Sequence, residues 1–130
     1  MKNAYPIILI PEEIGFTVFI PDFNINTQGD SLAEAMEMAR DAIGLMGIDL
    51  EDDGKEIPNP SSVNEVSAPE DHIVTLVDVD FVEYRRQHEN RTVKKNCTLP
   101  SWLCCEAEKA NINFSQVLQA GLKEALGIKA

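Results

Sequence analysis

The side chains best suited to specific recognition of another molecule lie between residues 92 and 99. Alternation along an extended strand places Lys94, Asn96 and Thr98 on one face, together with Thr92. In a DNA major groove, Asn can bond adenine through two hydrogen bonds, and Lys can reach guanine or a phosphate. We therefore predict that Lys94, Asn96 and Thr98 contact base edges. The alternative is a solvated polar strand face in an ordinary domain.

A helix start further along the chain predicts a second contact with DNA. Asn113 is a typical N-cap residue and is followed three positions later by Gln116, which predicts a helix beginning here. The first backbone amides of a helix lack intrahelical acceptors and carry partial positive charge. We therefore expect the amides at Asn113, Phe114 and Ser115 to bind a phosphate.

Two short helices must hold these groups in place. Pro100 ends the predicted strand and suits the first turn of a helix. The apolar stripes of the two helices are Trp102, Leu103, Ala107 and Ala110, then Val117, Leu118, Leu122 and Leu126 before Gly127. One strand and two helices are too small to bury these residues alone. Pairing with an identical copy would form a two-stranded ribbon above a four-helix core, so we predict a homodimer through residues 92–130.

The charge of the chain is divided between its two parts. The 130 residues have a net charge of -11. Residues 1–90 hold 5 Lys or Arg against 19 Asp or Glu, whereas residues 91–130 hold 6 against 3. The basic part suits a polyanion such as DNA, and the acidic part suits a basic partner. An acidic surface can also serve solubility alone.

The residues before this tail predict an α+β domain. Its predicted strands are residues 5–10, 16–20, 25–28 and 72–81. Ser31 and Glu34 have capping-box spacing ahead of an apolar helical stripe. Residues 51–71 are rich in Asp, Gly, Pro and Ser and are predicted to form a loop.

These patterns divide the chain into three parts. Residues 1–82 are expected to form the acidic α+β domain, residues 83–91 a charged linker, and residues 92–130 the dimerisation and DNA-binding domain. The basic partner of the first part is not identified by its residues alone.

The sequence shows no pattern typical of a catalytic or metal site. A metal-dependent nuclease would need converging carboxylates, and the available ones are Asp22, Asp30, Asp78 and Asp80. The three cysteines lack CxxC spacing, and both histidines lie in loop or linker. We therefore expect buried reduced thiols and no catalytic residue, metal or cofactor. No long apolar stretch or signal peptide occurs, so a cytoplasmic protein without membrane contact is expected.

Two runs near the N-terminus, followed by the tail, match a known family in order. The runs are Phe16-Thr17-Val18-Phe19-Ile20-Pro21-Asp22 and Thr27-Gln28-Gly29-Asp30-Ser31-Leu32-Ala33-Glu34-Ala35. They are similar to the HicB family of antitoxins, and the strand and two helices of the tail resemble the ribbon-helix-helix family of bacterial repressors. The two resemblances cover nearly the whole chain. At Asn24-Ile25-Asn26 the chain departs from the family, whose members often carry a Pro-Gly-containing turn.

The resemblance implies a partial ribonuclease H-like fold without nuclease activity, followed by a ribbon-helix-helix module. It also implies the antitoxin of a type II toxin–antitoxin system. Residues 1–82 would then mask a small, basic, RNA-cleaving toxin of the HicA type, and the tail would repress the antitoxin's own operon by binding operator DNA. A tetramer assembled through the N-terminal domains is an alternative to the dimer.

Two other functions are considered beside the antitoxin. One is a stand-alone ribbon-helix-helix transcriptional regulator whose acidic domain senses a ligand. The other is a metal-dependent nuclease, for which the required convergence of carboxylates is missing from the pattern. A short basic reading frame directly beside the gene would favour the antitoxin over the stand-alone regulator.

Overall fold

The computed structural model describes residues 2–89 and 92–128, and the chain divides into two compact units, Met1–Arg91 and Thr92–Ala130. The first unit contains strands β1 (Lys2–Pro11), β2 (Phe16–Ile20) and β3 (Ile25–Gly29), helix α1 (Leu32–Asp52), a 3₁₀ turn (Val63–Glu65), strand β4 (Ile73–Asp80) and helix α2 (Phe81–His88). The second contains helices α3 (Ser101–Lys109) and α4 (Phe114–Leu126). The four predicted strands are confirmed, and the fold is mixed α+β. No helix within the described residues has the length and hydropathy of a membrane span.

The sheet is antiparallel throughout and has the order β3–β2–β1–β4. Strand β1 takes a central place because it is apolar along most of its length and pairs on both sides. Leu9, for example, lies opposite Val18 of β2 and Ile73 of β4. Residues two apart on a strand share a face, so Tyr5 and Leu9 point to the same side and are both buried in the core.

Helix α1 covers this apolar face of the sheet. It begins after Ser31, whose side-chain oxygen accepts a hydrogen bond from the amide of Glu34 at 3.1 Å. The predicted N-cap is therefore confirmed. The inward side of α1 consists of Ala35, Ala39 and Ile43, all fully buried. The small side chains of Ala35 and Ala39 let the helix lie close to the sheet, and Ile43 packs between the helix and the sheet.

The long connection from α1 to β4 is held by hydrogen bonds to Tyr5 of β1 and to Asp22 in the turn between β2 and β3. The Tyr5 hydroxyl donates to the carbonyl oxygen of Pro58 at 2.8 Å. The amide and the hydroxyl of Ser61 donate to the two carboxylate oxygens of Asp22, at 2.9 and 2.5 Å. The loop was predicted from its composition. These contacts could not be predicted, because they join residues far apart in sequence.

A helix occupies most of the segment predicted to be a linker. Helix α2 packs on α1 where two glycines leave room for aromatic rings. A Cβ atom added at Gly47 would lie 2.1 Å from Cε1 of Phe81, and one at Gly44 would lie 2.4 Å from Cδ2 of Tyr84. The linker prediction was therefore wrong for residues 83–88. The packing of Phe81 and Tyr84 on α1 stabilises a helix in a segment whose charged composition is typical of a linker. Residues 90 and 91 lie outside the described part.

Arg85 fastens α2 to the end of α1. Its guanidinium donates to Glu51 and Asp52, each at 2.9 Å, and to Glu89 at 2.8 Å. Cationic groups are favoured at a helix C-terminus because of the partial negative charge there. The hydrogen bonds, first with Asp52 and then with Glu89, hold the pKa of Arg85 above its usual value.

The second unit differs from expectation in its first segment. Residues 92–100 have no regular secondary structure, so the predicted strand over residues 92–99 is not formed in the single chain. A strand needs a neighbour to hydrogen-bond its backbone, and the expected neighbour was the same strand of a second copy. Both helices are confirmed, and Gly127, with a φ of 71°, ends α4 as expected.

Candidate functional site

The three residues predicted to contact bases lie just before α3. Lys94, Asn96 and Thr98 are all exposed. Their segment lacks regular structure, so the single chain does not hold them on a common face. A strand pairing would be required to align them.

The turn between α3 and α4 is defined by backbone hydrogen bonds. Helix α3 begins directly after its N-cap residue Pro100, whose carbonyl accepts from the amide of Cys104 at 3.1 Å. At its end, Asn111 adopts the left-handed conformation with a φ of 57°, and the amide of Ile112 donates to Ala107 at 3.1 Å. Asn is among the few residues that adopt this conformation readily. The turn thus determines where α4 begins.

The start of α4 has the geometry that the sequence predicted. The side-chain oxygen of Asn113 accepts from the amide of Gln116 at 3.1 Å, and its carbonyl accepts from the amide of Val117 at 3.1 Å. In the described part of the chain, no hydrogen bond involves the amides of Phe114 and Ser115. These two donors are therefore available to an anion.

The apolar sides of α3 and α4 are exposed in the single chain. Trp102 is 68% exposed and Leu126 is 71% exposed. The other large apolar side chains exposed in this unit are Val93, Leu99, Leu103, Ile112, Phe114, Val117, Leu118 and Leu122. Soluble domains rarely expose so many apolar side chains without a partner. The unit therefore has the surface of a protein interface.

The cysteines were expected to be buried, and this expectation was wrong. Cys97 and Cys105 are exposed, and Cys104 is partly exposed, because the second unit has no buried interior of its own. The Cys104 thiol donates to the carboxylate of Glu108 at 3.2 Å. This hydrogen bond raises the pKa of Cys104, which disfavours the reactive thiolate.

The four acidic residues considered for a nuclease site do not converge. Asp22 accepts from Ser61, and the side chain of Asp80 accepts from the first amides of α2. Asp78 pairs with Arg40 at 3.2 Å and with Lys2 at 3.4 Å. The hydrogen bonds, first with Arg40, lower the pKa of Asp78. No group of three potential metal-ligating side chains occurs in residues 2–89 and 92–128.

One exposed surface of the first unit was not found by sequence reasoning. Met38 and Leu45 of α1 are exposed, although they are large and apolar. They lie outside the apolar stripe that predicted the core side of the helix. Large apolar residues off the core stripe of an amphipathic helix are the signal that could have identified them.

Comparison with known proteins identifies a family. Residues 5–121 match the family model described as HicB-like antitoxin of bacterial toxin–antitoxin system. The chain is also 34% identical over 103 residues to a 14.9 kDa protein from the rep–hol intergenic region of Haemophilus phage HP1, strain HP1c1. That match covers 76% of this chain and 74% of the phage protein.

Two solved structures share the fold. A chain of a toxin–antitoxin complex from Streptococcus pneumoniae is 24% identical with a TM-score of 0.61, and the match covers 96% of this chain and 99% of that one. The antitoxin HicB of Burkholderia pseudomallei is 22% identical with a TM-score of 0.54, covering 95% of this chain and 98% of that one. Nearly the whole chain therefore aligns with chains of known structure.

Proposed function

The chain belongs to the family of HicB-like antitoxins of bacterial toxin–antitoxin systems, and we propose that it is an antitoxin with two binding activities. Residues 1–82 bind and neutralise a small, RNA-cleaving toxin of the HicA type. Residues 92–130 form a ribbon-helix-helix homodimer that binds operator DNA and represses the operon. Neither activity involves catalysis or a cofactor.

The observation that carries the DNA-binding part is the surface of the second unit. Its apolar helix sides are exposed, and the polar residues Lys94, Asn96 and Thr98 directly precede them. A second copy would cover the apolar sides and at the same time supply the neighbouring strand. The resulting two-stranded ribbon fits the major groove. The uncommitted amides of Phe114 and Ser115 then bind backbone phosphates.

The charge of the first unit supports the toxin-binding part. Residues 1–90 hold 19 acidic against 5 basic residues, and a toxin that binds RNA must present cationic groups to its phosphates. Opposite charges accelerate association and favour the correct partner. The similarity to a chain of a toxin–antitoxin complex supports the same assignment.

The double substitution Lys94→Ala and Asn96→Ala tests DNA binding. We expect operator affinity to fall by a factor of about one hundred or more, because two base or phosphate contacts are lost. If Lys94 contacts a phosphate, its removal also reduces the slope of log affinity against log salt by about one. Fluorescence anisotropy with DNA from upstream of the gene measures both quantities.

Dimerisation and toxin binding serve as the controls for this experiment. Both should persist in the double variant, since neither residue belongs to the apolar sides of α3 and α4 or to the first unit. Unchanged DNA affinity would disprove the assignment of these residues. Loss of the dimer would show instead that the two side chains have a structural role.

A further inference from the structure

Two large apolar side chains are exposed on α1. Met38 is 40% exposed and Leu45 is 50% exposed. They are seven residues apart, or about 10 Å along the helix, so they lie on the same side. This side differs from the one that packs on the sheet, and it also differs from the side where Gly44 and Gly47 receive α2. Within residues 2–89, no element fully covers these two side chains.

Acidic residues flank Met38 and Leu45 on the same side of the helix. Glu34, Asp41 and Asp49 follow the spacing of three or four residues that aligns side chains along a helix, and all three are exposed. We call Glu34, Met38, Asp41, Leu45 and Asp49 the exposed α1 stripe. It combines two apolar contacts with three negative charges.

The charge of the exposed α1 stripe is little neutralised by the rest of the protein. The one basic residue of α1, Arg40, donates instead to the carbonyl and carboxylate of Asp78 on β4. Asp41, at the edge of the stripe next to α2, accepts from the Tyr84 hydroxyl and lies 3.9 Å from Nε2 of His88. Within the described ranges, Glu34 and Asp49 form no ion pair. The stripe therefore presents negative charge to a partner.

We propose that the exposed α1 stripe is the surface through which this protein binds its basic toxin, an inference that rests on the function proposed above. A protein that cleaves RNA must carry cationic side chains at its phosphate-binding surface. Glu34, Asp41 and Asp49 match such a surface in charge. Met38 and Leu45 supply the apolar burial that makes an interface stable, and the flexible Met adapts to the partner's shape.

Four single variants test this proposal against the small basic protein encoded beside the gene, purified in an inactive form. Leu45→Ala and Asp49→Lys alter the exposed α1 stripe. Leu76→Ala removes an equally exposed apolar side chain from β4, and Glu13→Lys makes the same charge change in the β1–β2 turn. We expect Leu45→Ala and Asp49→Lys each to raise the Kd about tenfold or more, and the two control variants less than about twofold. Calorimetric titration with the full chain measures these values.

Each possible result supports or overturns the inference. Equal losses from Asp49→Lys and Glu13→Lys would mean that net charge alone drives binding, and would disprove the stripe. If Leu45→Ala and Met38→Ala each bind the toxin as tightly as the unaltered protein, the stripe is also disproved. A change in self-association on Leu45→Ala, measured by sedimentation, would assign the stripe to a second copy of this chain. If the unaltered protein fails to bind, or no such basic protein is encoded there, the proposed function itself fails.

Discussion

The Tyr84 side chain of α2 contacts α1 at two residues, Asp41 and Gly44, and stacks on His88 within α2. Its hydroxyl donates to Asp41 at 2.9 Å, its ring stacks on His88 with centroids 4.0 Å apart, and it lies over Gly44. Burial, followed by the hydrogen bond to Asp41, raises the pKa of Tyr84 to about 12. The ionised phenolate would lose its donor and face a carboxylate, so the folded protein favours the neutral form.

This pKa shift predicts how stability depends on alkaline pH. The pKa of the phenol is near its usual value of 10.0 in the unfolded chain, whereas it is about 12 in the folded protein. The stabilisation is therefore fully present below pH 10 and is lost between pH 10 and 12. We expect Tyr84→Phe to cost about 1 kcal/mol or less at neutral pH, because the hydroxyl is partly exposed. We also expect the variant to lose stability less steeply above pH 10.

Urea unfolding of both proteins at pH 7, 10 and 12 measures this difference. The two proteins share every other ionisable group, including Tyr5, so the comparison isolates residue 84. Parallel curves for the two proteins between pH 10 and 12 would contradict the assigned hydrogen bond.

Among single residues, those that act locally were predictable and those that act over long distances were not. Ser31 and Asn113 each cap a helix by accepting from the amide three residues ahead, and a sequence pattern can identify this spacing. The bonds of Asp22 to Ser61 and of Arg85 to Asp52 join residues more than thirty positions apart. Such pairs depend on the tertiary fold and leave no periodic pattern.

Helix α2 was not predicted because its stability comes from packing. Charged residues dominate the segment, which is typical of a linker, and the helix has only eight residues. Isolated helices of this length are not stable in water. Gly is unfavourable in the interior of a helix, but Gly44 and Gly47 provide the space for Tyr84 and Phe81. The strands and α1, by contrast, were predicted from alternation and helical periodicity.

A methyl group at position 47 should therefore destabilise the first unit. At a solvent-exposed helix position, replacing Gly by Ala raises the free energy of unfolding by about 1 kcal/mol. At Gly47 the new Cβ would lie 2.1 Å from the Phe81 ring, so the ring or the helix must shift. We expect Gly47→Ala to cost about 1–3 kcal/mol, as measured by denaturant unfolding.

A second-site change can show that the cost arises from this contact. Phe81→Leu removes ring atoms next to residue 47, so the double variant should lose less stability than the sum of the two single variants. Additive losses would mean that Gly47 matters for the conformation of α1 alone and not for the packing of α2.

At the scale of the whole molecule, the two units differ in how complete they are. The first has a buried core of its own, which includes Tyr5, Ile7, Leu9, Val18 and Ile43. The second has no buried residue in either of its helices. Sequence reasoning predicted this difference from size alone, since one strand and two helices cannot enclose a core. The predicted ribbon requires a second copy, because a single chain contains only half of the backbone hydrogen-bonding partners.

If a second copy completes the second unit, its stability must depend on protein concentration. We expect the full chain to unfold thermally in two steps, with a concentration-independent Tm for the first unit and a Tm for the second that rises with concentration. Leu122→Asp places a charge on the apolar side of α4, where Leu122 is 53% exposed in the single chain. It should abolish the dimer and operator binding while leaving the Tm of the first unit unchanged.

Gln119→Asp is the matched control, since it adds the same charge to the same helix at an exposed polar position. It should remain dimeric and bind the operator, because only the apolar side of α4 is buried by the partner. Sedimentation velocity and calorimetry at several concentrations measure these properties. A dimer that survives Leu122→Asp would place the association outside α4. A dimer through α4 could not persist with that charge, because burying a charge in an apolar interface costs too much. The exposed apolar side chains of residues 92–128 would then need a different partner.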